Sequence, residues 1–168
     1  PVFADVEFDT LLINPKEIEH KITSQTRALV VVDYAGQPVA LREILEIAEK
    51  HGLTVIEDAC HALGAKAHGR PVGGLSTLTA FSFHPVKHIT TGEGGMVTTN
   101  DRGLAEKLRR FRNHGINSDH RQRETRGSWF YEMVDLGYNY RLTDLQSALG
   151  LSQLRRLDGW LARRREIA

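Results

Sequence analysis

The chain has 168 residues, of which 40% are hydrophobic and 26% charged, and 22 basic against 21 acidic residues give a formal net charge of +1. This composition is typical of a globular domain; it excludes a disordered tail and a collagen-like repeat, and the near-neutral charge argues against electrostatic binding of nucleic acid by the whole chain. The apolar runs fall short of the roughly 20 residues that a membrane span needs, and the single cysteine, Cys60, cannot form an internal disulfide, which fits a reducing compartment such as the cytoplasm.

The two ends of the sequence predict a piece of a longer chain. Residues 1–6 start without Met and already have the pattern of a strand. Residues 163–168 stop inside a helical pattern that lacks a Gly, Asn or Pro ending.

Residues 28–57 have the pattern of a strand, a helix and a second strand. The runs 28–33 and 53–57 are short and mostly aliphatic, as expected for buried strands. Between them an apolar stripe with helical spacing predicts a helix from Leu41 that ends before Gly52. Such a βαβ unit predicts two parallel strands.

The central segment predicts a hairpin and a basic helix. Two strands are expected at 80–83 and 96–99, and the short glycine-rich stretch between them favours antiparallel pairing. A short basic helix is expected over 104–111. The polar residues 121–126 indicate a mobile loop.

The last third of the chain is basic, with 14 basic and 9 acidic residues over 101–168. A binding module for acidic partners is therefore one alternative function. Thr143-Asp-Leu-Gln146 is a capping box that predicts the start of a helix. Its apolar face follows the leucines at helical spacing, Leu145, Leu149, Leu154, Leu157 and Leu161.

Asp58 stands directly after the predicted strand 53–57. Ligand sites of open α/β sheets gather at the carboxyl ends of strands, so Asp58 is a candidate binding carboxylate. An Asp in this place can also simply cap the following turn. His61, three residues further on, could face the same ligand or could be an ordinary packed residue.

Lys87 lies between the predicted strand 80–83 and the glycine-rich residues 92–95, which is an unusual setting for a solvated lysine. An amine held there could attack a carbonyl group, and Ser82 and Thr91 place hydroxyl groups close by in sequence. The alternative is an exposed lysine on a hairpin loop. This segment alone leaves both interpretations open.

Metal, thiol and nucleotide-loop chemistry are disfavoured. His84 and His88 flank Pro85, which opposes a helical pair of ligands, so no metal site is expected. Neighbouring side chains of an extended segment point to opposite sides, so Cys60 beside His61 is interpreted as a small buried residue. The sequence has no Gly-x-Gly-x-x-Gly motif and no Walker-type phosphate loop.

Four motifs taken together are far more specific than any one of them. They are Ile56-Glu-Asp-Ala-Cys-His-Ala-Leu-Gly-Ala65, Phe81-Ser-Phe-His-Pro-Val-Lys87, Thr91-Gly-Glu-Gly-Gly-Met-Val-Thr-Thr-Asn100 and Leu136-Gly-Tyr-Asn-Tyr-Arg-Leu-Thr-Asp-Leu-Gln146. In this order they resemble the DegT-type nucleotide-sugar aminotransferases, pyridoxal-phosphate enzymes of fold type I. The resemblance implies a three-layer α/β fold, a mostly parallel sheet with helices on both faces. Residues 1–168 would be the central part of the large cofactor-binding domain, without the amino-terminal segment and the small carboxy-terminal domain.

The resemblance also implies a set of site residues. Lys87 would form the Schiff base with the aldehyde of pyridoxal 5'-phosphate, and Asp58 would pair with the pyridinium nitrogen. His61 would lie against the cofactor ring, and Ser82 would hold the phosphate. Asn139 would reach the phosphate of the cofactor in the neighbouring subunit, so the site implies a homodimer.

Two further segments narrow the resemblance. Val32-Asp-Tyr-Ala-Gly-Gln-Pro38 and Gly127-Ser-Trp-Phe-Tyr-Glu-Met-Val-Asp135 are most similar to enzymes that aminate C4 of a UDP-4-keto-6-deoxy-N-acetylhexosamine, as in pseudaminic acid synthesis. The implied partners are this UDP-sugar and an amino-acid donor, glutamate, with neither nucleic acid nor a membrane. Lys87 would act as covalent anchor and general base. A non-catalytic piece that self-associates is the remaining alternative.

Overall fold

The computed structural model describes residues 1–118 and 120–168 and divides into two compact units. The first unit joins Pro1–Thr99 to Asp144–Ala168, and the second is Asn100–Thr143. All the strands of the described residues lie in the first unit.

The strands of the described residues form one four-stranded sheet and one short hairpin. In chain order they are β1 (Ala28–Val32), β2 (Thr54–Asp58), β3 (Lys66–Ala67), β4 (Arg70–Pro71), β5 (Leu78–Ser82) and β6 (Gly95–Thr98). The sheet has the order β1-β2-β5-β6, and β3 pairs with β4. β1, β2 and β5 are parallel, and β6 is antiparallel to β5. The parallel pair and the antiparallel hairpin predicted from the sequence are both confirmed.

Helices occur in both units. In chain order the described residues form α1 (Pro15–Lys21), α2 (Leu41–His51), α3 (Arg102–Phe111), α4 (His120–Arg126), α5 (Asp144–Leu154) and α6 (Leu157–Ile167). The predicted basic helix is α3, which begins two residues earlier than expected because Asp101 caps it by accepting a hydrogen bond from the Leu104 N–H at 2.9 Å. Within the described ranges, every helix is too short or too polar to cross a bilayer.

The βαβ unit packs through one face of its strands. Alternate residues of β1 and β2, including Val31 and Val55, turn toward α2 and bury against Ile44 and its neighbours. α2 ends where Gly52 adopts a left-handed φ of 63° and its N–H bonds back to the carbonyl groups of the last turn. The helix ending predicted from the sequence is therefore confirmed.

The strand predicted at residues 1–6 is wrong. Val6 forms only an isolated bridge with Ile13, and Val2 and Phe3 are 75% and 87% exposed. An alternating pattern becomes a strand only when a neighbouring strand supplies hydrogen bonds. Among the residues that the structure describes, no strand adjoins this segment.

The mobile loop predicted at 121–126 is also wrong, because α4 occupies this stretch. Arg, Gln and Glu are good helix formers, and their polarity predicts exposure rather than lack of structure. Arg123 also donates a hydrogen bond to the Ser118 carbonyl at 3.0 Å, and its guanidinium lies 4.5 Å from the centre of the Tyr131 ring. These contacts hold the segment in place.

The leucine-rich end of the chain forms two helices instead of one continuous face. α5 starts directly after Thr143, as the capping box predicts, and the helix breaks at Arg155 and Arg156 before α6. Leu145 is 85% exposed, whereas Leu157 is only 8% exposed and packs into a second apolar cluster below β5. The break gives the two helices different surroundings.

We expect the isolated chain to self-associate. β1 is an edge strand, and Val30 and Val32, on the face turned away from α2, are 61% and 43% exposed. Light scattering after gel filtration should give a mass above that of one chain. Val30→Lys should shift it toward the monomer, and Val2→Lys, the same change outside the sheet, should not. A monodisperse wild-type monomer would contradict the prediction.

Candidate functional site

The parallel strands of the sheet end at one edge and bring polar residues together there. Asp33 follows β1, Asp58 is the last residue of β2, and Ser82 is the last residue of β5. The Asp33 N–H donates to the Asp58 carbonyl at 3.0 Å, and Asp58 pairs with Ala80 of β5. This edge is where open α/β sheets bind ligands.

Asp58 is half-buried and serves as a turn cap with one of its two oxygens. Its Oδ1 accepts a hydrogen bond from the Cys60 N–H at 3.1 Å. The turn-cap interpretation is thus confirmed for Oδ1. The Asp58 carboxylate also forms a hydrogen bond with the Cys60 thiol.

Lys87 and Asp58 both act on the Cys60 thiol. The pKa of Cys60 is raised to about 11: burial, the hydrogen bond with Asp58 and the charge of Asp58 raise it, whereas the charge of Lys87 lowers it. Asp58 ends β2, which pairs with β5, and Lys87 lies in the loop that follows β5, so both residues belong to the same edge of the sheet. With so high a pKa the thiol is protonated near pH 7, so Cys60 is not a nucleophile.

His61 lies under a tight turn that follows β1. The turn, Tyr34–Gly36, places the Tyr34 ring 6.1 Å from the His61 ring, centre to centre. Gly36 has a φ of +86°, and a Cβ atom there would lie 2.8 Å from the His61 carbonyl oxygen. Only glycine fits this approach, so the turn is held closely against the chain that carries His61. Tyr34 is a neighbour of the site that sequence reasoning missed.

The loop that carries Lys87 is tied back to the end of β5. Ser82 Oγ accepts a hydrogen bond from the His84 N–H at 3.3 Å, and the Lys87 N–H donates to the His84 carbonyl at 3.0 Å. Further along, the Thr91 N–H donates to the Phe83 carbonyl at 3.0 Å. Lys87 is half-buried in this loop, so the interpretation of an exposed lysine is wrong.

Helix α5 anchors the glycine-rich part of the same loop. Gln153 Oε1 accepts a hydrogen bond from the Thr90 N–H at 2.9 Å, and Gln146 Nε2 donates to the Glu93 carbonyl at 3.0 Å. Sequence reasoning assigned Gln146 only to a capping box and missed Gln153. Both glutamines are far from the loop in sequence, and no local sequence pattern indicates contacts of this kind.

His88, which the sequence analysis weighed only as a metal ligand, is a further neighbour of Lys87. Its Nδ1 is buried and has no hydrogen-bond partner among the described residues. Burial lowers the pKa of His88, and the charges of Arg164, His61 and Lys87 lower it further. The lowered pKa favours the neutral form of the imidazole.

Asn139 belongs to the second unit, Asn100–Thr143. It is exposed and forms an isolated antiparallel bridge with Asn113. Its role toward a neighbouring subunit stays a prediction.

The donor set at the sheet edge fits pyridoxal phosphate. The cofactor needs an acid for its ring nitrogen, an amine for its aldehyde and hydrogen-bond donors for its phosphate. Asp58, Lys87 and Ser82 supply one group of each kind. Groups of three or more His, Cys, Asp or Glu side chains that could hold a metal ion are absent from the described residues.

Comparison with known proteins gives consistent matches. The DegT/DnrJ/EryC1/StrS aminotransferase family matches residues 1–168. The uncharacterised protein MJ1066 of Methanocaldococcus jannaschii is 48% identical over 100% of this chain and 44% of its own length. The spore coat polysaccharide biosynthesis protein SpsC of Bacillus subtilis is 46% identical over 100% of this chain and 43% of its own length. The chain thus spans less than half the length of these relatives.

A solved structure supports the same assignment. Helicobacter pylori PseC, an aminotransferase involved in the biosynthesis of pseudoaminic acid, has a TM-score of 0.85 and 40% sequence identity, covering 94% of this chain and 40% of its own. The predicted fold class, a mostly parallel sheet with helices as in fold type I aminotransferases, is confirmed. The chain belongs to the DegT/DnrJ/EryC1/StrS aminotransferase family.

Proposed function

We propose that the full-length protein is a pyridoxal-phosphate-dependent aminotransferase. It transfers an amino group from glutamate to the C4 ketone of a UDP-4-keto-6-deoxy-N-acetylhexosamine. The observation that carries the reaction class is the placement of Asp58 and Ser82 at the ends of the paired strands β2 and β5, with Lys87 in the loop that follows β5, because this chemistry needs an acid, an amine and a phosphate donor around one ring. Family membership supports the same reaction class.

The residues of the proposed site have distinct roles. Bound pyridoxal phosphate supplies an electron sink for a carbon atom that loses a proton. The Asp58 carboxylate would pair with the protonated ring nitrogen, and Ser82 Oγ would donate a hydrogen bond to the phosphate. His61 packs against the ring. Lys87 Nζ would hold the cofactor through its aldehyde group, and the same amine would be the base that takes up and returns a proton at this position.

The substrate and the assembly rest on narrower support. PseC acts in the biosynthesis of pseudoaminic acid, and SpsC in that of the spore coat polysaccharide. The segments 32–38 and 127–135 favour a UDP-linked 4-keto-6-deoxy sugar. We further propose a homodimer in which Asn139 reaches the phosphate bound by the neighbouring subunit, and a cytoplasmic enzyme, since the single cysteine fits a reducing compartment.

Turnover by the full-length protein tests this function. With glutamate and the UDP-4-keto sugar, we expect 2-oxoglutarate and the amino sugar to form in equal amounts. Liquid chromatography with mass spectrometry measures both products. Borohydride reduction with pyridoxal phosphate should fix the cofactor on the peptide that contains Lys87. The isolated 168-residue chain should show no turnover.

The control reaction contains the corresponding TDP-linked keto sugar. Faster turnover of the TDP-linked sugar would contradict the proposal that the substrate is UDP-linked, but it would not contradict the reaction class. Fixation at a lysine other than Lys87, or a full-length protein that forms no 2-oxoglutarate with either sugar, would contradict the reaction class.

A further inference from the structure

Two carboxyl groups lie buried directly behind the proposed site. Val31 of β1 pairs with Glu57 of β2, and Asp33 comes two residues after Val31, so the side chains of Asp33 and Glu57 lie on the same buried face of neighbouring strands. Both residues are 0% exposed. Two buried carboxylates so close together are unfavourable if both are charged, and neither has a part in the transfer reaction proposed above.

Each of the two carboxyl groups has one bonded and one unbonded oxygen. Glu57 Oε2 accepts hydrogen bonds from the hydroxyl groups of Ser76 and Thr79, both at 2.9 Å, and Asp33 Oδ1 accepts one from the Val39 N–H at 3.0 Å. Glu57 Oε1 and Asp33 Oδ2 are buried, and within the described part of the chain neither has a hydrogen-bond donor. A buried oxygen without a donor is destabilising.

One proton between the two carboxyl groups satisfies both oxygens. A protonated carboxyl group is a donor, and a carboxylate is an acceptor, so the two can bond to each other. Burial raises the pKa of Asp33 to about 7; the Val39 N–H lowers this pKa, whereas the charge and hydrogen bond of Glu57 and the charge of Asp58 raise it. These are the charged groups that act on Asp33.

Asp33 also holds the turn that lies against His61. Its N–H bonds to the Asp58 carbonyl, its carbonyl accepts from the Gly36 N–H at 3.2 Å, and its Oδ1 accepts from the Val39 N–H. The turn therefore depends on where the Asp33 side chain points. That direction is set on one side by Val39 and on the other by Glu57.

We propose that Asp33 and Glu57 share one proton in the folded protein, and that this proton fixes residues 33–39 beside His61. Asp33 is thus a positioning residue for the ring pocket. The link to a bound cofactor rests on the proposed function. The shared proton and the fixed turn do not depend on the proposed function. The experiments below therefore measure the shared proton and the turn in the absence of cofactor and substrate.

The pH dependence of unfolding of the full-length protein tests the shared proton. A buried acid with a raised pKa binds a proton that the unfolded chain has released, so stability falls as the pH rises from about 4 to about 7. Asp33→Asn places an amide donor where the proton was and cannot titrate. We expect the urea midpoint of the wild type to fall between pH 5 and 8 relative to that of Asp33→Asn.

The wild type and Asp33→Asn have all other titrating groups in common. The difference between their urea midpoints therefore removes the contribution of those groups to the pH dependence. Glu57→Gln offers the same donor from the other side, and it should give the same result if Asp33→Asn does not fold. Asp33→Ala should lower the midpoint at every pH, because it loses the Val39 bond and leaves Glu57 without a donor. A constant difference between wild type and both amide variants over pH 5–8 would overturn the shared proton.

Hydrogen exchange tests the positioning role. The N–H groups of Gly36, Gln37 and Val39 are bonded within this turn. After correction for the intrinsic effect of pH, a peptide covering 33–41 should lose protection above about pH 7 in the wild type and keep it in Asp33→Asn. Equal protection in both proteins at pH 8 would refute the positioning role even if the urea result agrees. A protein that shows both effects but does not transaminate would refute only the proposed function.

Discussion

Lys87→Ala in the full-length protein is expected to reduce amino transfer by roughly 10²–10⁴-fold or more, the contribution of one positioned acid–base group. The variant also loses the covalent attachment of the cofactor. Initial rates of 2-oxoglutarate formation measure the effect. Adding a small primary amine such as ethylamine should restore part of the rate, because a free amine can carry the proton in place of Nζ.

Lys21→Ala is the matched control for this variant. Lys21 ends α1 and is exposed, so its loss should leave the rate within twofold. If Lys87→Ala keeps more than a tenth of wild-type turnover, Lys87 does not have the proposed role. A loss of rate that no amine restores would limit Lys87 to anchoring the cofactor.

Asp58→Asn is expected to lower turnover by a similar factor while leaving the fold intact. Losing one partner of a buried ion pair costs about 3–5 kcal/mol, which corresponds to roughly 10²–10⁴-fold in rate. The Asn side chain keeps the oxygen that accepts from the Cys60 N–H, so the turn after β2 stays capped. Steady-state kinetics should therefore show a large loss of turnover in Asp58→Asn, whereas its thermal midpoint should stay that of the wild type.

Two comparison variants complete this experiment. Asp9→Asn removes the same charge at an exposed position and should change neither quantity. Asp58→Ala removes the cap as well, so it should lower the thermal midpoint in addition to turnover. Turnover of Asp58→Asn within tenfold of wild type would rule out its role at the ring nitrogen.

The fold was predictable where a local pattern determines the structure. The βαβ unit follows from aliphatic runs and an apolar stripe, and the end of α2 follows from Gly52. The strand at residues 1–6 failed because pairing depends on a partner that the local pattern does not contain. The segment 121–126 failed because its polar side chains indicate exposure and leave helix formation open.

The candidate site was predictable only in part. The positions of Asp58 and Lys87 follow from strand ends and a glycine-rich loop, whereas their roles follow from the family motifs. Tyr34, Gln153 and the Asp33–Glu57 pair become visible only when the chain is folded, since each acts on residues distant in sequence or on another strand. Glu57, which precedes Asp58, has no sequence pattern that distinguishes it from an ordinary strand residue.

The bond from the Thr90 N–H to Gln153 has a consequence for the order in which the protein is made. The two residues are separated by 63 positions, and a ribosome adding roughly 5–20 residues per second needs about 3–13 s to cover that distance. For those seconds the lysine loop is outside the ribosome without its helical anchor, while the βαβ unit before it is already complete in sequence. The nascent protein can therefore form its βαβ unit before α5 is available to anchor the loop that carries Lys87.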